Sequence, residues 1–200
     1  MNDKLCIYGI TQEKVRIVHK DIKEILFADT EIQARVAEIG AALTDQYSEP
    51  IANGEELVLL SVLRGAAIFM ADLARATEIP LEMDYMALSS YGSGTKSSGT
   101  VRIVKDLTAS IEGKHVIVVE DILDSGLTLQ FLIDYLEKRN PASIEVITLL
   151  RKRNREQVHI DCAHVGFECP DEFIVGYGLD YAERYRNLPY IGILKPEVYE

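Results

Sequence analysis

Apolar and polar positions come in blocks along this chain. Residues 57–63 are almost wholly apolar and stop at Arg64-Gly65-Ala66. Residues 115–119 are nearly as apolar and stop at two adjacent carboxylates, Glu120 and Asp121. Strands of this kind are buried on both faces, as in parallel sheets covered by helices. Each is followed, after a short loop, by helical spacing. Residues 66–76 are apolar on most sides, which predicts an interior helix, and residues 127–139 stop at Asn140-Pro141. Residues 81–88, 144–150 and 173–177 read as further strands. Residues 15–18 and, weakly, 101–104 alternate like short ones. An earlier helix starts at Asp29-Thr30, with Gln33 completing a Thr-x-x-Gln capping box and Ile32, Val36, Ile39 and Leu43 as its apolar face; residues 50–54 read as a loop. The recurring strand–loop–helix unit predicts an α/β fold built on a doubly wound parallel sheet. Its core covers about residues 29–157 of a single domain, and residues 1–28 and 158–200 form a small cap or hood.

Composition narrows this picture. With 200 residues, 48% hydrophobic and 26% charged, the chain is long enough for a sizeable core. No apolar run nears the roughly 20 residues that span a bilayer, and the first 20 residues lack a signal-peptide core, so no membrane partner is expected. Three cysteines without framework spacing suit a reducing compartment, the cytoplasm. A net charge of −11 argues against nucleic-acid binding, which depends on neutralising phosphates.

The block at 115–119 runs on into Glu120-Asp121-Ile122-Leu123-Asp124-Ser125-Gly126-Leu127-Thr128. In open α/β sheets the ligand crevice lies beyond the carboxyl ends of the strands. Three carboxylates would sit there beside a small-residue turn opening a helix, whose free N–H groups suit a phosphate. Together they indicate a phosphorylated substrate held partly through a metal ion. The stretch is not a P-loop, lacking Gly-x-x-x-x-Gly-Lys-Ser/Thr, nor an EF-hand. Gly92-Ser93-Gly94 has Ser97 at the third glycine position of a dinucleotide fingerprint and no clear helix after it. His159, Cys162, His164 and Cys169 fall within eleven residues, but their spacing is not that of a zinc site, and ordinary side chains are expected.

Residues 118–128 resemble the signature of type I phosphoribosyltransferases, enzymes that bind phosphoribosyl pyrophosphate: two apolar residues, two acids, two apolar residues, then Asp-Ser-Gly-x-Thr. Ser61-Val62-Leu63-Arg64-Gly65-Ala66, Ser90-Tyr91, Leu149-Leu150-Arg151-Lys152-Arg153, the stretches 165–168 and 171–181, and Arg186-Asn187-Leu188-Pro189-Tyr190 narrow the resemblance to hypoxanthine phosphoribosyltransferases. It runs in order from about residue 57 to 194 and implies the type I phosphoribosyltransferase fold with a hood and a flexible lid loop.

The resemblance also implies roles. Glu120 and Asp121 hold the ribose hydroxyls and Mg²⁺; Asp180 helps hold a second Mg²⁺. Asp124 is the general base that accepts a proton from purine N7 as N9 attacks, although the spacing equally permits a helix N-cap. Ser125, Gly126, Leu127 and Thr128 cradle the 5′-phosphate. Arg64 and Gly65 belong to the pyrophosphate loop, where either peptide bond flanking Arg64 can be cis, and Arg186 is a second pyrophosphate contact. Lys152 donates to the purine 6-oxo group, Phe173 stacks on the ring, and Glu172 and Ile174 lie at the base, Ile174 offering backbone groups. Ser90 and Tyr91 sit at the hinge side of a lid over residues 89–100. The implied activity joins hypoxanthine, with guanine as a second acceptor, to phosphoribosyl pyrophosphate in purine salvage, giving inosine monophosphate and pyrophosphate. A homodimer or homotetramer is expected. The alternatives are a guanine- or xanthine-preferring enzyme and a nucleotide-sensing regulator on the same fold; intact Asp124 and Lys152 weigh against the regulator.

Overall fold

The computed structural model describes residues 18–90 and 101–200. Six strands form the main sheet: β2 (Leu57–Leu63), β3 (Glu82–Ser90), β4 (Val101–Lys105), β5 (His115–Leu123), β6 (Ser143–Arg151) and β7 (His164–Glu168), in the order β4-β3-β2-β5-β6-β7. All neighbours are parallel except β4, an antiparallel edge strand. Helices α1 (Asp29–Ala52) and α2 (Ala67–Ala76) cover one face and α3 (Leu127–Glu137) the other. The pleat sorts the apolar blocks between the two faces. Ile117 and Val119 of β5 pack with Phe69, Met70 and Leu73 of α2, whereas Val116 and Val118 pack with Leu129, Leu132 and Leu136 of α3. The sheet is doubly wound, with one antiparallel edge.

A second, antiparallel sheet of three short strands forms the hood: β1 (Ile22–Phe27), β9 (Ile191–Leu194) and β8 (Ile174–Val175). The tail ends in a short helix, α4 (Pro196–Tyr199). Strand β7 lies beyond the expected core boundary at residue 157, yet it extends the main sheet beside β6.

Two helix expectations shift. Helix α1 continues through Pro50 instead of ending in a loop there, because Tyr47 is buried and Ile51 packs on the core, so burial holds the last turn despite the missing N–H. Its capping also starts earlier: the Glu31 carboxylate accepts the Ala28 N–H at 2.8 Å, while Gln33 donates to Asp72 on α2. Residues 15–17 of the expected strand at 15–18 and residues 91–100 of the expected lid, Tyr91 included, fall outside the described residues; Val18 is not in a strand. Among the described residues no helix is long and apolar enough to cross a membrane.

The strand order places the crevice. From β2 the chain winds through α2 to β3; from β5 it winds the other way through α3 to β6. Pairing between β2 and β5 stops at Ser61 and Val119. Beyond that, β2 stays with β3 as far as Leu63 and Ala87, and β5 stays with β6 as far as Leu123 and Arg151. The sheet therefore parts at its topological switch point, where α/β folds bind ligands. Glu120 and Asp121 are the first two residues of β5 past the parting.

Candidate active site

The two acids occupy a crowded position. Both are half-buried, and among the described residues no hydrogen bond or ion pair reaches the Glu120 carboxylate. Burial pushes Glu120 well above the usual carboxylate range, and the Asp121 charge adds to it. Burial raises Asp121 to about 6, against the lowering effect of the Ile122 N–H, its own N–H and the Arg186 charge; Asp180 raises it further. Adjacent carboxylates driven towards protonation are a favourable place for a hard cation, which restores their charge.

A group of three or more candidate ligands around one point is not found among the described residues. Mg²⁺ usually takes one or two carboxylates and fills its shell with water and substrate oxygens. Asp180 is committed elsewhere: Oδ1 pairs with Arg186 at 2.7 Å, and Oδ2 accepts the Glu183 N–H at 2.9 Å. The thiols of Cys162 and Cys169 contact the backbone carbonyls of Ile160 and Arg151.

A raised carboxyl has a consequence for stability. The folded state holds the Asp121 proton more tightly than the unfolded chain does, so its contribution is present below about pH 4 and is lost as pH rises towards 6. With divalent ions chelated, Asp121→Asn should therefore raise the melting temperature at pH 8, by an amount equivalent to roughly 1–3 kcal/mol, and have little effect below pH 4. A thermal melt showing destabilisation at pH 8 contradicts this.

Across the parting, the loop after β2 presses on Asp121. The Leu63–Arg64 peptide bond is cis, which settles which bond flanking Arg64 takes that form. A Cβ on Gly65 would stand 1.6 Å from Asp121 Oδ2, so only glycine leaves room for this carboxylate. Gly65→Ala should displace the end of the Asp121 side chain rather than the fold. The expected loss in kcat/KM for phosphoribosyl pyrophosphate is about 10²-fold, with the melting temperature within about 3 °C of wild type. An active Gly65→Ala enzyme would show that the Asp121 position does not matter.

Beyond Leu123 the chain turns through Asp124-Ser125-Gly126 into α3. Gly126 has φ +80, and a Cβ there would meet the Val158 carbonyl oxygen at 2.5 Å. The Gln157 and Val158 N–H groups brace the turn through the Ser125 carbonyl. Gly126, not Asp124, is the N-cap residue; the Leu127 N–H donates to Ser125 Oγ at 3.4 Å, and among the described residues the N–H groups that follow it have no side-chain partner and suit an anion. Leu127 and Thr128 are exposed at this end.

The cap reading of Asp124 is thereby removed. The side chain faces a cavity of about 440 Å³, shared with Lys152, Arg155, Phe173, Ile174 and Asp180 among others. Asp124 Oδ1 lies 3.0 Å from Arg155 Nε, an ion pair without the alignment of a hydrogen bond. Lys152 is only 9% exposed; its Nζ donates to the Glu172 carbonyl at 2.7 Å and lies 3.8 Å from Asp171 Oδ1. Two further N–H bonds of the ammonium remain for a ligand. Phe173 is 38% exposed, so it is not a core residue. It stacks on Tyr199 at 4.9 Å and meets Tyr181 edge-on at 5.4 Å.

The expected residues thus fall into two neighbouring groups. Glu120, Asp121, Gly65 and the 124–128 turn line the parting of the sheet, and Lys152, Glu172, Phe173 and Ile174 line the cavity beside it. Arg64 pairs with Glu183, and Arg186 with Asp180. Ser90 pairs through its backbone with Val101. Sequence reading missed Arg155, which bridges Asp124 and Asp171, and also Glu183 and Tyr199. None of these carries a spacing signal.

The model of the phosphoribosyl transferase domain matches residues 29–182. A hypoxanthine-guanine phosphoribosyltransferase of Mycobacterium avium is 53% identical over 181 residues, covering 90% of this chain and 89% of that one. Its counterpart in Bacillus subtilis is 52% identical over 182 residues, covering 90% and 97%. The crystal structure of a hypoxanthine phosphoribosyltransferase from Staphylococcus aureus superposes with a TM-score of 0.86 at 48% identity, over 94% of this chain and all of that one. On sequence and fold together, the chain belongs to the hypoxanthine phosphoribosyltransferases of the phosphoribosyl transferase family.

Proposed function

We propose that this chain transfers the 5-phosphoribosyl group from phosphoribosyl pyrophosphate to N9 of hypoxanthine, releasing pyrophosphate. One observation carries the reading: a buried ammonium, an exposed aromatic ring and a carboxylate share a purine-sized cavity next to a helix N-terminus and two crowded acids. The Lys152 ammonium donates to the 6-oxo group, the Phe173 ring supports one face of the base, and Asp124 accepts the N7 proton. As the bond from N9 to the anomeric carbon forms, the bond from that carbon to the pyrophosphate oxygen breaks, and the electron pair leaves with pyrophosphate. The positive charge of the oxocarbenium-like transition state forms close to the acids of the site. Ser125 to Thr128 hold the 5′-phosphate, Glu120 and Asp121 the ribose hydroxyls, and Arg64 and Arg186 the pyrophosphate.

Glu120 and Asp121 are the carboxylates suited to Mg²⁺, which when bound would neutralise the leaving group. Guanine as a second acceptor is favoured by the relatives, which are named for both bases. Family resemblance extends the proposal to a homodimer or homotetramer in the cytoplasm, and the −11 charge speaks against a nucleic-acid partner. The test is product analysis. Hypoxanthine and phosphoribosyl pyrophosphate should give inosine monophosphate and pyrophosphate in equal amounts, only while Mg²⁺ is present; no nucleotide product, or full activity in excess chelator, overturns it.

A further inference from the structure

The loop after β8 lies directly on the loop after β2. A Cβ on Gly178 would stand 2.0 Å from the Gly65 carbonyl oxygen, so the two backbones touch. From the β8 loop, Arg186 donates through Nη1 to the Gly178 carbonyl at 2.8 Å, and its Nη2 pairs with Asp180. The same Nη2 lies 3.5 Å from Glu183 Oε2. The other oxygen of that carboxylate, Oε1, accepts from Arg64 Nη2 at 2.8 Å. One carboxylate therefore spans the two guanidinium groups assigned to pyrophosphate, one oxygen to each. The backbone is turned sharply to put it there. Glu183 has φ +64 next to Ala182 at +48, and Tyr185, two residues on, has φ +76; side-chain-bearing residues adopt this left-handed region only when their surroundings hold them.

A carboxylate and a phosphate make the same demand on a guanidinium, two acceptor oxygens in its plane. The N–H groups that hold Glu183 cannot hold a pyrophosphate oxygen at the same time. We propose that Glu183 is an internal stand-in for pyrophosphate: it keeps Arg64 and Arg186 together, yields them as phosphoribosyl pyrophosphate binds, and reclaims them as pyrophosphate leaves. The proposal rests on assigning those two arginines to pyrophosphate. It makes Glu183 a positioning residue that weakens pyrophosphate binding and so helps to release the product. The contacts are exposed, with the Arg64 side chain 66% and the Glu183 side chain 59% accessible, so the effect is several-fold rather than orders of magnitude, and salt screens it.

The test uses pyrophosphate itself as the product inhibitor, at fixed Mg²⁺, with the full-length Glu183→Gln and Glu183→Asn variants. Asparagine tolerates a left-handed backbone better than glutamate does, so the second variant guards against misfolding of the first. In both, the inhibition constant for pyrophosphate and the KM for phosphoribosyl pyrophosphate should fall about three- to ten-fold. The KM for hypoxanthine should stay within about two-fold, and the gap from wild type should narrow between about 50 and 500 mM NaCl. Glu183→Asp, which keeps the charge, should stay nearer wild type. Unchanged or weaker pyrophosphate binding in folded variants overturns the proposal, leaving Glu183 as scaffold. Arg186→Gln, measured alongside, separates the two levels of the argument. It should weaken pyrophosphate binding; if it does not, the pyrophosphate assignment fails, and the role of Glu183 fails with it.

Discussion

Asp124→Asn should lower kcat by about 10²–10⁴-fold while changing the KM for phosphoribosyl pyrophosphate by less than about three-fold. The asymmetry follows from where the side chain sits. Asp124 lies outside α3, whose N-cap is Gly126, so asparagine removes no helix cap. It lines the cavity that holds Lys152 and Phe173, and its Oδ1 rests near Arg155 without an aligned hydrogen bond. Asparagine fills the same volume but cannot take a proton from the purine or offset positive charge in the transition state. The phosphate cradle and the two acids at the parting of the sheet are untouched, which is why donor affinity should survive. Steady-state kinetics with saturating hypoxanthine decide the matter, and near-normal kcat would remove Asp124 from the mechanism.

Lys152→Met should reduce kcat/KM for hypoxanthine by at least about 10²-fold and narrow the preference for hypoxanthine over adenine. Burial makes the difference. The ammonium is almost sealed from solvent, and its one backbone partner, the Glu172 carbonyl, leaves two N–H bonds to satisfy. A 6-oxo group can accept one of them. A 6-amino group cannot, and would leave a buried charge short of a partner, at a cost of about 1–3 kcal/mol or more. Methionine keeps most of the packing and loses the donor. It also strands the Glu172 carbonyl, so some loss of thermal stability should accompany the loss of selectivity. Unaltered discrimination between the two bases would show that selectivity lies elsewhere.

The parts of the fold that were legible in the sequence are those with a strong local pattern. The buried strands β2, β5 and β6 announce themselves because both faces are covered, so their runs are mostly apolar, broken by Ser61 in β2 and by Glu145 and Thr148 in β6. The hood was not legible as a sheet. Ile22–Phe27 pairs with Ile191–Leu194 across most of the chain, the strands are short, and no local periodicity marks either of them. Nor did the apolar pattern show that β5 continues through Glu120 and Asp121 to Leu123, because it breaks where the strand leaves β2 but not β6.

The site divides in the same way. Residues 120–128 share one strand end and could be read as a unit, with each acid given its own task by resemblance. Arg155 reaches Asp124 from the 3-10 turn after β6, and Glu183 joins Arg64 to Arg186 across more than a hundred residues. Contacts of that kind appear only once the strands are in register. They also answer the charge question raised by an acidic protein that takes a polyanion. Arg64, Lys152, Arg155 and Arg186 stand at the site, each already held by a neighbouring acid that a phosphate can displace.

If a donor site at the parting of the sheet meets a base cavity selected by Lys152, the group at purine position six decides which bases turn over. Initial rates with phosphoribosyl pyrophosphate and Mg²⁺, measured separately for hypoxanthine, guanine, xanthine and adenine, test it most directly. Hypoxanthine should form nucleotide rapidly, guanine should turn over as a second 6-oxopurine, and adenine should give no measurable rate. Adenine turning over as fast as hypoxanthine would contradict it.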